Sequence, residues 1–236
     1  MKINNVDIST FNAKQHKVSI GHADYKNSSE WISAAVLPHL EAGYIGFKQL
    51  DITFIVKGAD REAIILNRSK LLAALRDPCT LTLDGFTHKF RGFMKSHKIT
   101  ETAKDRFHAV GVTMTVYEYG DEVVATGIGS VSALNPGTLI SPVELQITPV
   151  STEADITITG LCRNPRTGAD MPVLLETVTA THVIILDGAN GVFTEAGQLK
   201  PDIDIQYPPC VAPGTAEITC SAATAILQLT ILPLYM

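Results

Sequence analysis

The residue types that carry out catalysis are all present in this chain of 236 residues, but their spacing is not that of an active site. No G-x-x-x-x-G-K, G-x-G-x-x-G, G-x-S-x-G or H-E-x-x-H pattern occurs. The histidines (His16, His22, His39, His88, His97, His108 and His182) are dispersed. His88 and His97 sit among Lys89, Arg91, Lys95 and Lys98, whose charge repels a metal cation. A glycosidase needs two facing carboxylates. Asp202 and Asp204 are two apart and share one face of a strand, where they read as solvated charges. Asp187 and Asn190 lie in a glycine-rich turn, which favours both residue types for backbone reasons alone. No D-x-D-x-D-G calcium loop supports them. Cys79, Cys162, Cys210 and Cys220 form no C-x-x-C pair and read as buried free thiols, with a Cys210–Cys220 bridge across a hairpin as the alternative. The sequence therefore implies no metal, no cofactor and no catalytic residue.

One stretch does suggest binding. His88-Lys89-Phe90-Arg91-Gly92-Phe93-Met94-Lys95-Ser96-His97-Lys98 is the most basic segment, and its interleaved aromatics fit a nucleic-acid surface. They also fit a strand with a buried aromatic face and a wet basic face, and the small charge of the surrounding domain favours that second reading. A basic strand facing the hole of a ring would still be multiplied by the number of subunits.

The elements that must position these residues are legible from periodicity. Leu50 to Lys57 alternates, with Leu50, Ile52, Phe54 and Val56 on one face of a strand. Asp60 is placed to cap a helix whose apolar side carries Ile64, Leu71 and Leu75, with Arg61, Asn67, Arg68 and Lys70 facing out. Asp77-Pro78 ends it, because the residue before proline is pushed out of the helical region. Cys79 to Leu83 alternates again, Asp84-Gly85 turns, and Phe86 to Met94 returns as the second arm of a hairpin. Phe11 to Ile20 and Val110 to Tyr119 read as further strands, while Trp31 to Leu40 reads as strand or loop. Beyond residue 142 no helix is evident. Short alternating segments (Val143–Thr148, Asp155–Thr159, Val173–Val178, His182–Leu186, Ile203–Tyr207, Ala216–Cys220 and Ala225–Leu232) separated by turns indicate a β-sandwich.

Composition divides the chain. Residues 1–121 hold 16 Lys+Arg against 13 Asp+Glu, and residues 122–236 hold 3 against 11, so +3 and −8 make the total of −5. Ten of the 12 prolines follow residue 121, while twelve of the aromatic residues precede it. These shifts predict a first domain over 1–121, a linker leading into the second over 122–142, and a second domain over 143–236. Phe193, Tyr207 and Tyr235 are the only aromatics of the second half, too few for the stacking platform a sugar site needs. No apolar run is long enough to span a bilayer and no secretory signal opens the chain, so synthesis in a cytosol is expected.

The order of these features resembles the distal tail proteins of long non-contractile-tailed bacteriophages. The resemblance rests on the strand–helix–hairpin block Leu50–Met94, the strand Phe107–Tyr119, and Val183-Ile184-Ile185-Leu186-Asp187 followed by Asn190-Gly191. It continues through Ile205-Gln206-Tyr207-Pro208-Pro209, the turn Ala212-Pro213-Gly214-Thr215 and the last strand Ala225–Leu234. Thr215 stands where the family often has Asn. The resemblance implies a mainly β structural protein with no enzymatic activity. Its first domain would be a tail-tube-like antiparallel β-sandwich or split barrel with one helix, and its second a galectin-like β-sandwich. It would form a homohexameric baseplate hub, a ring around the DNA channel at the virion tail tip. Its neighbours would be the tail tube, the tape-measure protein and the tail-tip or receptor-binding proteins, with DNA only as passing cargo and no membrane insertion. Under this reading Phe90, Phe93, Tyr117 and Tyr119 are expected at the subunit contact, and Lys89, Arg91, Lys95 and Lys98 on a channel-facing basic strand. The competing function is a carbohydrate-binding accessory module that helps the phage hold its host. A cell-wall hydrolase is the third reading, and it lacks a nucleophile or carboxylate pair.

Overall fold

The structure, a computed structural model, describes residues 1–30, 39–101, 107–164 and 167–236. Trp31 to Pro38, within the segment read as strand or loop, and Pro165 and Arg166 of an expected turn lie outside the described residues. The chain divides into two compact units, 1–119 and 120–235.

The first unit contains β1 (Lys2–Ile3), β2 (Val6–Asp7), β3 (Ala13–Ile20), β4 (Tyr25–Glu30), β5 (His39–Ile45), β6 (Lys48–Lys57), α1 (Arg61–Arg76), β7 (Cys79–Thr82), β8 (Lys89–Glu101) and β9 (Phe107–Tyr119). One antiparallel sheet runs β2-β1-β7-β8-β9-β6-β3, and β4 pairs β5 as a separate hairpin. The alternation read in the sequence is the packing that is found. Leu50, Ile52, Phe54 and Val56 of β6 and Val110, Val112, Met114 and Val116 of β9 are buried together against Leu71 and Leu75 of α1. The Asp60 carboxylate accepts from the Ala63 amide at 2.8 Å, and extended Asp77 ends the helix before Pro78.

Three local expectations change. Asn67 does not face out: it is buried and donates from Nδ2 to the Lys57 carbonyl at 2.9 Å, tying α1 to the strand before it. The strand expected from Phe11 begins at Ala13, because Ile8–Phe11 forms a 3-10 turn that left-handed Asn12 closes. The returning hairpin arm starts at Lys89 rather than Phe86 and runs on to Glu101.

The second unit is all strand among its described residues: β10 (Val123–Ile128), β11 (Ser130–Asn135), β12 (Ser141–Thr148), β13 (Glu153–Arg163), β14 (Asp170–Val178), β15 (Ile184–Asp187), β16 (Val192–Glu195), β17 (Gln198–Leu199), β18 (Ile203–Asp204), β19 (Cys210–Val211), β20 (Gly214–Cys220) and β21 (Ile226–Ile231). One sheet runs β10-β21-β12-β15-β16-β17, with β19 beside β12, and the other β11-β20-β13-β14-β18. Their inner faces meet in one core that includes Leu145, Ile158, Leu175, Leu186, Ile218 and Leu229, which is a β-sandwich. The stretch 122–142, expected as a linker, supplies an edge strand to each sheet. The chain crosses from β10 to β11 at Gly129, whose φ of +67° and contact with the Ala223 carbonyl leave no room for a side chain. All four cysteines are free, so the Cys210–Cys220 bridge is absent.

Candidate functional site

The register of β8 on β9 sorts the expected site residues by face. Phe90 and Met94 point toward the core, while Lys89, Arg91 and Phe93 pair with Tyr119, Tyr117 and Thr115 on the opposite, helix-free face. Phe90 is fully buried and packs edge-on to Phe86 with ring centroids 6.3 Å apart, so it is withdrawn as a subunit contact. Phe93 is exposed, and Tyr117 and Tyr119 are half-buried with their rings 5.9 Å apart. The two roles read from the sequence, aromatic contact and basic strand, therefore fall on the same face. Glu118, on the core side between the two tyrosines, accepts from Lys48 at 2.5 Å and pairs with His88 at 2.6 Å. Burial pushes its carboxyl up, but these partners outweigh burial and hold it below the usual range.

Strict alternation would set Lys98 on the face opposite Arg91. A bulge at Lys95 changes the phase, so that Ser96 pairs with Thr113 and Lys98 with Gly111 on the helix-free face. Lys89 and Arg91 lie at the aromatic end of that face and Lys98 at the other end. Gly111 carries no side chain to fill the space beside Lys98. A shallow hollow of about 190 Å³ opens there, walled by Asp51, Thr53, Ser96, Lys98 and Thr113. Asp51 accepts from Thr113 Oγ1 at 2.6 Å and Gln49 Nε2 at 2.9 Å, and these bonds lower its pKa.

On the second unit, a groove of about 370 Å³ runs over the outer face of the β10–β21–β12–β15 sheet. Glu144 pairs across the sheet with Asp187 on one side and Thr230 on the other, and Gln146 with Gln228. Asp187 accepts from the Ala189 and Asn190 amides at 2.8 and 3.0 Å and from Asn190 Nδ2 at 2.6 Å, so it serves its own turn. Among the described residues no aromatic side chain lines this groove. Asp202 and Asp204 are not an equivalent pair. Asp202 accepts from Thr177 Oγ1 at 2.6 Å and joins Glu195 around the buried Lys200 ammonium, while Asp204 is exposed. The Thr177 hydroxyl first, and Lys200 after it, hold the Asp202 carboxyl down at about 2. Among the described residues no His, Cys, Asp or Glu cluster has the geometry to hold a metal ion. Cys79 and Cys162 are buried, and burial pushes their thiols up to about 11 and 12, the opposite of an activated nucleophile.

No protein-family model and no curated protein sequence matches the chain. Solved structures do. The SPP1 Dit protein, described as a paradigm of the hub adsorption apparatus in phages infecting Gram-positive bacteria, aligns with a TM-score of 0.72 at 13% identity. That alignment covers 97% of this chain and 96% of the other. A chain of the phage P2 baseplate, in its activated conformation with calcium, aligns with a TM-score of 0.52 at 10% identity, covering 96% and 92%. Over 97% of its length, this chain shares the fold of that phage hub protein.

Proposed function

We propose that the protein is a non-enzymatic hub of a long non-contractile phage tail. In this reading six copies close into a ring around the DNA channel at the distal end of the tail tube. The ring joins the tube and the tape-measure protein to the tail-tip or receptor-binding proteins. The carrying observation is the match of both units, in one chain, to the fold of a hub protein. The sheet of the first unit supports a ring physically. It ends in β3, a long strand that among the described residues pairs on one side only, and such edges need a neighbour or a block. Phe93, Tyr117 and Tyr119 are the aromatic contact candidates, and Lys89, Arg91, Lys95 and Lys98 the channel-facing cations. Light scattering of the purified protein, with negative-stain imaging of the peak, tests the reading. About six copies around a central hole are expected, and a strict monomer at high concentration counts against it. Phe93→Asp is expected to release monomers, whereas a variant that still elutes as a ring removes Phe93 from the contact.

A carbohydrate-binding role is the second reading, supported by the carboxylate and amide groups along the groove of the second unit. The lack of an aromatic platform there weakens it. A glycan array probed with the full-length protein and with Glu144→Ala decides: binding that the variant abolishes would establish it.

A further inference from the structure

Outside β8, other cations lie on the same helix-free face of the first unit. In β3 a bulge at His16 changes the phase, so that Lys14 and Lys17, three residues apart, pair with Ile55 and Thr53 on one side of the sheet. In β8 the bulge at Lys95 does the same for Lys98. Two independent departures from strand periodicity thus bring cations onto one face, and re-aiming a side chain is what a bulge does. Across β3, β6, β9 and β8 that face carries Lys14, Lys17, Lys57, Lys89, Arg91 and Lys98 against one carboxylate, Asp51. Lys17, Thr53, Gly111 and Lys98 form a single row over four neighbouring strands. Three strand spacings set the two lysine backbones roughly 14 Å apart. Between them is the hollow at Gly111, bordered by the hydroxyl groups of Thr53, Ser96 and Thr113. Lys14, Lys17, Lys57 and Lys98 are exposed and make no ion pair among the described residues.

We propose that this basic end of the sheet face binds the phosphate backbone of double-stranded DNA without reading its sequence. The inference rests on the channel reading for its biological setting, but the binding itself does not require a ring. Ammonium and hydroxyl donors are the groups that contact phosphate oxygens. A single strand would use aromatic platforms for its bases. Here Phe93, Tyr117 and Tyr119 lie at the far end of the face, and Phe107, which pairs with Lys57 at the basic end, is half-buried, so among the described residues no run of exposed rings stands beside the lysines. The double strand is therefore the better fit.

The test is fluorescence anisotropy of a labelled 30-base-pair duplex with the full-length protein, titrated at several salt concentrations. Affinity is expected to fall steeply with salt. Lys17→Gln/Lys98→Gln is expected to reduce the slope of log affinity on log salt by about two. Lys70→Gln, on the exposed side of α1, is expected to leave it unchanged. Thermal melting establishes that each variant is folded. No binding at low salt, a double variant that binds like the parent, or tighter binding of a single strand or of polyglutamate would overturn the proposal. Light scattering on the same samples separates the two readings. A ring that ignores DNA sinks this inference alone, and a monomer that binds it sinks the ring alone.

Discussion

At the scale of single residues, the most demanding group is the ammonium of Lys200. Its side chain is 1% exposed and pairs with Glu195 at 2.8 Å and Asp202 at 3.1 Å, while donating to the Thr177 carbonyl. Burial opposes the charge on Lys200, but the two carboxylates outweigh it and raise its pKa. At Glu195 burial pushes the carboxyl up, but the Lys200 ammonium and the Thr179 amide outweigh it and lower its pKa. A carboxylate with a depressed pKa stabilises the fold above its unfolded value near 4 and loses that stability as pH falls toward its folded value. A lysine with a raised pKa stabilises below its unfolded value near 10.5, and this is lost as pH rises through the folded one. The cluster is therefore fully stabilising only between about pH 5 and 10. Lys200→Met should cost about 3 kcal/mol at neutral pH, since it leaves two carboxylates facing each other, partly buried. It should also flatten acid unfolding between about pH 4 and 2, measurable by circular dichroism. Thiol labelling gives a second check at this scale. Cys210 is only half-buried and should react first, while buried Cys79, Cys162 and Cys220 wait for unfolding.

Elements show where local chemistry is enough and where it is not. Helix α1 is specified at both ends, by the Asp60 cap and by Asp77 before Pro78. Asp60→Ala should cost about 1 kcal/mol in chemical denaturation, while a variant as stable as the parent would show the cap to be idle. Strand β13 shows a constraint that periodicity cannot contain. Its pairing with β14 slips between Ile158 and Cys162, and Leu161 and Cys162, neighbours in sequence, are both buried. Gly160 makes the slip possible, with a φ of +81° and a position where a Cβ would lie 2.0 Å from the Glu217 carbonyl. Gly160→Ala should therefore prevent folding of the second unit or lower its melting temperature sharply. Gly168 has a similar φ of +70° with no atom of the described residues near its Cβ position, so Gly168→Ala should cost only about 1 kcal/mol, which separates crowding from backbone strain.

For the whole molecule, the two buried cores share no residue. Damage in one unit should accordingly leave the other protected. In hydrogen exchange, Lys200→Met should speed amide exchange across 120–235 and leave β6 and β9 as slow as in the parent; uniform loss across both units would show that they unfold as one. Charge also separates at this scale. The second unit contributes most of the acidity of the chain, and the first carries the basic sheet face. A ring of first units would gather that face around one axis, while the acidic units repel both DNA and one another.

What the sequence determined by itself was local. The burial of Leu50, Ile52, Phe54 and Val56, the start and stop of α1, and the all-strand second half follow from periods of two and 3.6 and from residues that cap or break them. Val123–Ile128 and Ser130–Asn135 were illegible as strands because their small residues and glycines have the composition of a linker, and only pairing with β21 and β20 makes them edges. Phe90 and Phe93 were indistinguishable as types, and only the register of β8 buries one and exposes the other. Only the tertiary structure decided the basic face. A bulge is invisible in a strand read alone, because it is defined by the partner that skips a residue. The two bulges at His16 and Lys95 are what bring Lys14, Lys17 and Lys98 to the same side of the sheet.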